Sequence, residues 1–319
     1  MYRYILRRLG FLLLTLLLTS LIIFAVTQWL PGDVCRIILG REAGKNALVR
    51  CRQDLGLDQP LPSQYLHWLV NFITGNWGES FSTRSPIAPL VIERLGNSLM
   101  LAAVTLAISV PLAVAIGVIA GLNENKLADN LISILALSVV GLPEFVTGIV
   151  LIQVFSFEFK KWGLPALPAN SSIQPGAGFF EAFPMLILPA LTATLVLLAY
   201  IARLTRAGVI EELRQPYVRT AELKGLPRGQ VIVRHVLRNA LLPTITVIAI
   251  SVGWLISGLV VIENVFNYPG LGRLLVFAID RRDLPLLQAV TMVTVLGFAL
   301  ANLAADLMYA FLNPRIRLG

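Results

Sequence analysis

Between Gly10 and Leu30 the chain runs GFLLLTLLLTSLIIFAVTQWL without one charged side chain. Such a run restricts the fold severely, because about 20 apolar residues rising 1.5 Å each match a hydrocarbon core of about 30 Å. Comparable runs recur, giving six candidate spans at 9–30, 98–122, 130–157, 184–205, 241–262 and 286–311. In lipid, only helices or a closed barrel satisfy every backbone polar group. Continuous apolar runs, rather than alternation with a period of two, select helices. Composition agrees: 14% of residues are charged, against about 25% in soluble domains, and mean hydropathy is +0.77. The expected fold is an all-α integral membrane protein with six transmembrane helices. Residues 1–97 form the first span plus a long loop, and residues 98–319 a five-helix core. Arg3, Arg7 and Arg8 precede the first run as they would in a signal peptide, but that run ends in LPGD without a small-residue cleavage site, which favours a retained span.

Lysine and arginine accumulate on the cytoplasmic side of membrane proteins. With the N-terminus inside, residues 1–8, 123–129, 206–240, the tail from Leu312 and Arg203 carry fourteen Lys/Arg against five Asp/Glu. The outside segments carry twelve against eleven. Both termini are therefore expected in the cytoplasm. The short loop NENKLAD at 123–129 is slightly acidic and opposes this trend. The basic excess points to anionic lipid headgroups and a cytoplasmic partner rather than nucleic acid.

Placed outside, Cys35 and Cys51 lie 16 residues apart in an oxidising compartment. A disulfide there would contribute about 3 kcal/mol in the chain-entropy model; two separate buried thiols are the alternative. The loop from Pro31 to Asn97 is long for a structureless connection. Its stretch PLPSQYLHWLVNFITGNWGES reads as an amphipathic helix with Trp68 and Trp77 suited to an interface. Within the third span, GLPEF puts Pro143 and Glu144 near mid-membrane, where a carboxylate lines a solute path or pairs with a neighbouring helix. Asp306, near the inner end of the sixth span, is expected to pair with arginines or to snorkel. NYPGLG at 267–272 reads as a turn-rich outer loop, a plain turn or a lip of a gate.

Between the fourth and fifth spans stands RQPYVRTAELKGLPRGQVIVRHVLRNALLP, 214–243, polar and basic in a chain that is otherwise oily. YVRTAELKGLP reads as a short helix, with Pro216 in its first turn, Gly225 as a left-handed stop and Pro227 beyond it. Tyr217, Ala221 and Gly225 then share one stripe at a spacing of four, and two of the three are small, which lets another protein approach the backbone closely. A second helix is expected to follow and to lead to Pro243, where the fifth span begins. A solvated basic loop is the rival reading, and spacing alone does not decide between them.

The motifs taken together do decide. The insert, at about 208–240, resembles the EAA-type coupling loop of permease subunits in binding-protein-dependent ABC importers. It is most similar to the dipeptide/oligopeptide/nickel branch, through Tyr217, Arg219, Thr220, Ala221, Lys224, Gly225 and Leu226. LPGD at 30–33, LGLDQPLPSQY at 55–65, GNWGES at 75–80, ENVFNYPGLGRLL at 263–275, RRDLP at 281–285 and DLMYAFLNPRIR at 306–317 extend the resemblance over nearly the whole chain. Arg219 stands where the general EAA pattern has its leading glutamate.

The resemblance implies a type I importer permease of a bacterial inner membrane, moving short peptides by alternating access. It implies a coupling set of Tyr217, Arg219, Thr220, Ala221, Glu222, Lys224, Gly225 and Leu226. The implied partners are a homologous second permease, two ABC ATPases that bind ATP and magnesium, and an extracytoplasmic substrate-binding protein received by the long loop. The same branch carries glutathione and nickel complexes, and a self-contained secondary transporter is the rival function.

No catalytic or metal-binding constellation is legible in this chain. GREAGKN at 40–46 lacks the spacing and the hydroxyl residue of a phosphate loop. His67 and His235 fall on opposite sides of the membrane in the expected topology. ATP hydrolysis is thus expected in partner subunits, with no cofactor bound by this chain.

Overall fold

The computed structural model describes residues 2–29, 34–39, 42, 44–54, 56–174, 176 and 178–312. LPGD at 30–33, part of GREAGKN and the tail beyond Leu312 lie outside these described residues. The elements, in chain order, are helices α1 (Tyr2–Trp29), α2 (Val34–Leu39), α3 (Lys45–Asp54), α4 (Leu61–Ile73), α5 (Ile87–Leu122), α6 (Leu127–Val140) and α7 (Glu144–Ile152). A π-helical turn at Gln153–Glu158 joins α7 to α8 (Phe159–Lys161); then come α9 (Phe179–Leu213), α10 (Pro216–Leu223) and α11 (Arg228–Val231). A second π-helical turn, Ile232–Val236, leads into α12 (Leu237–Gly258), followed by α13 (Val260–Val265), α14 (Leu271–Asp280) and α15 (Leu284–Leu312).

Among the described residues, five helical stretches are long and apolar enough to cross a membrane: Tyr4–Trp29, Ile87–Leu122, Phe179–Leu213, Arg228–Gly258 and Leu284–Met308. The sixth expected span, 130–157, is not straight. It is the pair α6 and α7, bent by 103°. Pro143 has no N–H to give and disfavours helical geometry in the residue before it, so α6 stops at Gly141 and α7 restarts with Glu144 in its first turn. Pro143 thus breaks the span rather than merely kinking it. Pro243 differs in the opposite sense. The fifth span does not begin there, because helix runs through it from Arg228 to Gly258.

The spine of the molecule is α5 against α9. Gly117 and Gly121, four residues apart, let the backbones meet: a Cβ on Gly117 would lie 2.6 Å from the carbonyl oxygen of Ala202, and one on Gly121 would lie 2.8 Å from Val209. Small residues at this spacing are how helices associate where lipid supplies no hydrophobic drive. Gly208 does the same between α9 and α12, where a Cβ would stand 2.5 Å from the Ala240 carbonyl oxygen. The apolar core over this spine includes Leu101, Leu186, Ile201, Leu255 and Phe266.

Helix α1 lies at the edge, with Phe11, Leu13 and Ile22 turned outward, as a lipid-facing helix should. It is tied to α15 at both ends. Arg8 pairs with Asp306 at 2.5 Å, and Gln288 donates to the Thr27 hydroxyl at 2.7 Å. The pairing expected of Asp306 is therefore with Arg8. The acidic loop that opposed the charge trend is neutralised in place: Arg206 clasps Asp129 through two hydrogen bonds, and Arg214 donates to Glu124 at 2.7 Å.

The long loop folds as a cap. A disulfide joins Cys35 on α2 to Cys51 on α3, with the Cα atoms 5.8 Å apart. On α4, Tyr65, Trp68 and Phe72 form an aromatic ladder running from Phe24 of α1 to Trp77. The end of the loop is fastened to the turn before α15, where the buried Asp283 carboxylate accepts hydrogen bonds from the hydroxyls of Ser80 and Ser82, each at 2.6 Å.

NYPGLG is not an exposed lip. Phe266 and Tyr268 are fully buried, and the Glu263 carboxylate accepts from the Ser98 hydroxyl at 2.6 Å and from the Arg273 amide at 3.0 Å. Glu263 lies beyond the end of the Arg228–Gly258 span, and burial pushes its pKa up to about 7 against the opposing pull of these donors.

Candidate functional site

Helix α10 is the feature that a purely lipid-embedded bundle does not need. It begins with Pro216 at its first position and ends in a Schellman motif. The Gly225 amide donates to the Glu222 carbonyl at 2.9 Å, and the Leu226 amide reaches back to the Ala221 carbonyl at 3.4 Å. Gly225 takes φ +77°, the left-handed conformation that its place in the sequence predicts.

The orientation of α10 corrects the expected open stripe at Ala221. Ala221 is buried with Val218 in a cluster that includes Val209 of α9, Val231 of α11 and Ala240 of α12, with Leu226 packed against it. This apolar seat turns the Tyr217–Ala221 side toward the chain's own neighbouring helices. Tyr217 keeps an exposed edge, and Gly225, just past the helix, stays open, with no described atom within 4 Å of where a Cβ would be. The outward face is instead Arg219, Thr220, Glu222 and Lys224, together with Leu223. Leu223 is 81% exposed at the helix tip. Sequence reading missed Leu223, and the available signal was an apolar residue among polar neighbours on the side opposite Val218.

Tyr217 is held by three partners. Its phenol hydrogen-bonds the Glu212 carboxylate of α9, accepts from Asn239 Nδ2 of α12 at 3.1 Å, and lies 3.4 Å from the His235 carbonyl oxygen in the π-helical turn. Burial and the Glu212 carboxylate both raise its pKa, so the phenol keeps its proton. The basic residues after the helix, Arg228, Arg234 and Arg238, are exposed.

The other residues singled out by sequence lie elsewhere. Glu144 sits at the elbow between α6 and α7, one of its carboxylate oxygens buried without a hydrogen-bond partner. Pro143 is the N-cap of the same helix. Cys35 and Cys51 belong to the cap. Among the described residues no three His, Cys, Asp or Glu side chains are grouped to hold a metal ion.

Five apolar helices and one bent pair, interrupted by a polar helical insert, define a multi-pass α-helical membrane protein. Residues 113–318 match the family described as "Binding-protein-dependent transport system inner membrane component", and residues 1–102 match its N-terminal counterpart. The chain belongs to this family, the inner-membrane permeases of ABC importers, whose members are transport components and not catalysts. Over 317 residues, 99% of either chain, it is 39% identical to the glutathione transport system permease protein GsiC of Escherichia coli. It is 38% identical over the same length to GsiC of Pectobacterium atrosepticum. The fold is similar to the crystal structure of an amino acid ABC transporter with histidines. The TM-score is 0.52 at 14% identity, covering 69% of this chain and 93% of that one.

Proposed function

We propose that this chain is one permease subunit of an ATP-driven importer of short peptides, and that α10 is its coupling helix. In this reading both termini and α10 are cytoplasmic, and the capped loop of residues 31–97 faces outward toward an extracytoplasmic substrate-binding protein. The single observation that carries the assignment is the pairing of an exposed tip, Leu223, with a buried apolar seat between α9 and α12. A lipid anchor needs basic residues at a surface; it does not need an apolar knob on a helix clamped between two spans.

The outward face of Arg219, Thr220, Glu222, Leu223 and Lys224, with the open turn at Gly225, enters a cleft of an ATPase subunit. Tyr217, Ala221 and Leu226 seat the helix from behind. ATP and magnesium are bound by two such ATPases. A second, homologous permease supplies the other coupling helix and the other half of the path. Glu144, at the elbow of the broken span, lines that path and favours the amino group of a peptide.

The relatives named for glutathione make that tripeptide the first cargo to test. The experiment is uptake of radiolabelled glutathione by proteoliposomes holding the complete complex and its binding protein, with Leu223→Asp as the variant. Uptake by the native complex and its loss with Leu223→Asp, together with release of the ATPases, supports the reading. ATPases retained at native stoichiometry with Leu223→Asp refutes the docking assignment.

A further inference from the structure

Helix α10 spans eight residues, Pro216–Leu223, so at 1.5 Å each its exposed tip stands about 10 Å from the end that carries Tyr217. The apolar seat under Val218 and Ala221 is non-directional: it resists lifting but tolerates sliding and rotation about the helix axis. The chain links on either side, Arg214–Gln215 and Lys224–Pro227, are short turns rather than continuous helix. A push on Leu223 would therefore roll α10 in its seat unless something directional fixes the far end. Hydrogen bonds are directional, and the only residue of α10 with side-chain bonds to two other helices among the described residues is Tyr217. Its partners come from both neighbours: Glu212 from the last turn of α9, and Asn239 from the first turn of α12.

We propose that Tyr217 is a positioning residue and not a docking contact: with Glu212 and Asn239 it ties the coupling helix to the fourth and fifth spans at once, so that both follow its movement. This rests on the reading of α10 as the coupling helix. One phenolic proton serves one acceptor at a time, and the His235 carbonyl oxygen, 3.4 Å away in the π-helical turn, is the second acceptor within reach. When the end of α9 shifts relative to α12, the O–H turns from Glu212 to the His235 carbonyl oxygen: the tie to the fifth span then holds through His235 and Asn239, while the tie to the fourth is released until Glu212 returns. Single-turn π-helices are frequent at functional sites, and this one, Ile232–Val236, sits where α10's return path joins the fifth span. Glu212 and Asn239 acquire a role that neither spacing nor the family motif gives them.

The test uses the assembled importer in proteoliposomes, with glutathione uptake and ATP hydrolysis measured on the same samples and ATPase retention measured by co-purification. Tyr217→Phe and Asn239→Ala are expected to retain the ATPases and native hydrolysis, and each to lower glutathione carried per ATP at least threefold. The double variant is expected to fall no further than either single one, because both remove the same tie. A native transport ratio with Tyr217→Phe, or losses that multiply in the double variant, overturns the inference. Loss of the ATPases with Tyr217→Phe also overturns it, by returning Tyr217 to the docking face. Leu223→Asp in parallel separates the two readings: if it releases the ATPases while Tyr217→Phe behaves as native, the tie fails and the coupling helix stands. If Leu223→Asp changes nothing, the coupling helix itself fails.

Discussion

Gly225 shows how a single residue sets the geometry of the insert. Its φ of +77° is open to glycine and tolerable for asparagine, whereas a β-branched residue there is strained by about 1–2 kcal/mol. Among the described residues, no neighbour lies within 4 Å of where a Cβ would stand. Gly225→Asn should therefore preserve α10, while Gly225→Val should unwind its last turn and reduce ATPase co-purification several-fold. Equal retention with both variants would show that the turn is not needed for docking.

Glu263 makes a second residue-scale prediction. Its folded pKa of about 7 lies above the ordinary 4.5, so between those values the folded state holds a proton that the unfolded state has lost. Stability from this group is fully present below pH 4.5, falls as pH rises, and is gone above about pH 7; the span of the effect is about 3 kcal/mol. Melting of the purified protein at pH 5 and pH 8 should differ less in Glu263→Gln than in the native chain. An unchanged difference would assign the pH dependence elsewhere. The sequence displayed both residues, but only Gly225 could be read from it. A glycine after a short helix carries its own conformational meaning, whereas the burial of Glu263 depends on Ser98, 165 positions away.

Among the elements, the seat of α10 was half legible. Spacing places Tyr217 and Ala221 on one side of the helix, but it does not say toward what that side turns. Val209, Val231 and Ala240, brought together only by the packing of α9, α11 and α12, settle that. The bend between α6 and α7 was hidden in a similar way. Hydropathy averages over GLP and sees one run, whereas the backbone cannot carry a helix through it. Hydropathy also marks the part of a helix that matches lipid and not the helix itself, so α5 begins at Ile87 and α9 continues to Leu213, within three residues of α10.

That continuation matters, because Gly208 near the end of α9 rests on the Ala240 backbone of α12. A Cβ 2.5 Å from a carbonyl oxygen cannot be relieved by a rotamer change. Gly208→Val should separate the two helices and lower the melting temperature by several degrees, consistent with a cost of about 1–3 kcal/mol for overpacking. A native melting curve would contradict the close contact. At the other face, mass spectrometry after alkylation should find no labelled thiol at Cys35 or Cys51 without reductant and two with it. Two labels without reductant would remove the disulfide from the cap.

At the scale of the whole molecule, the division of labour follows charge and burial. One end carries a stapled cap, aromatic at the α1–α4 contact and fastened at Asp283; the other, which the proposed function assigns to the cytoplasm, carries the basic insert and the ion pairs Asp129–Arg206 and Glu124–Arg214. Nearly all of the spanning architecture was legible in the sequence, because lipid forces long apolar runs and basic loops. The exposed face of α10 was legible at Arg219, Thr220, Glu222, Lys224 and Gly225 but not at Leu223, whose exposure depends on how the helix is seated.

The most direct test of the account is a photo-reactive side chain at position 223 in the assembled importer, with its cross-linked products identified by mass spectrometry. The account predicts cross-links to an ATPase subunit, at a yield that changes between nucleotide-free and ATP-bound states. Cross-links confined to lipid, or to this chain itself, in complexes that still transport would contradict it.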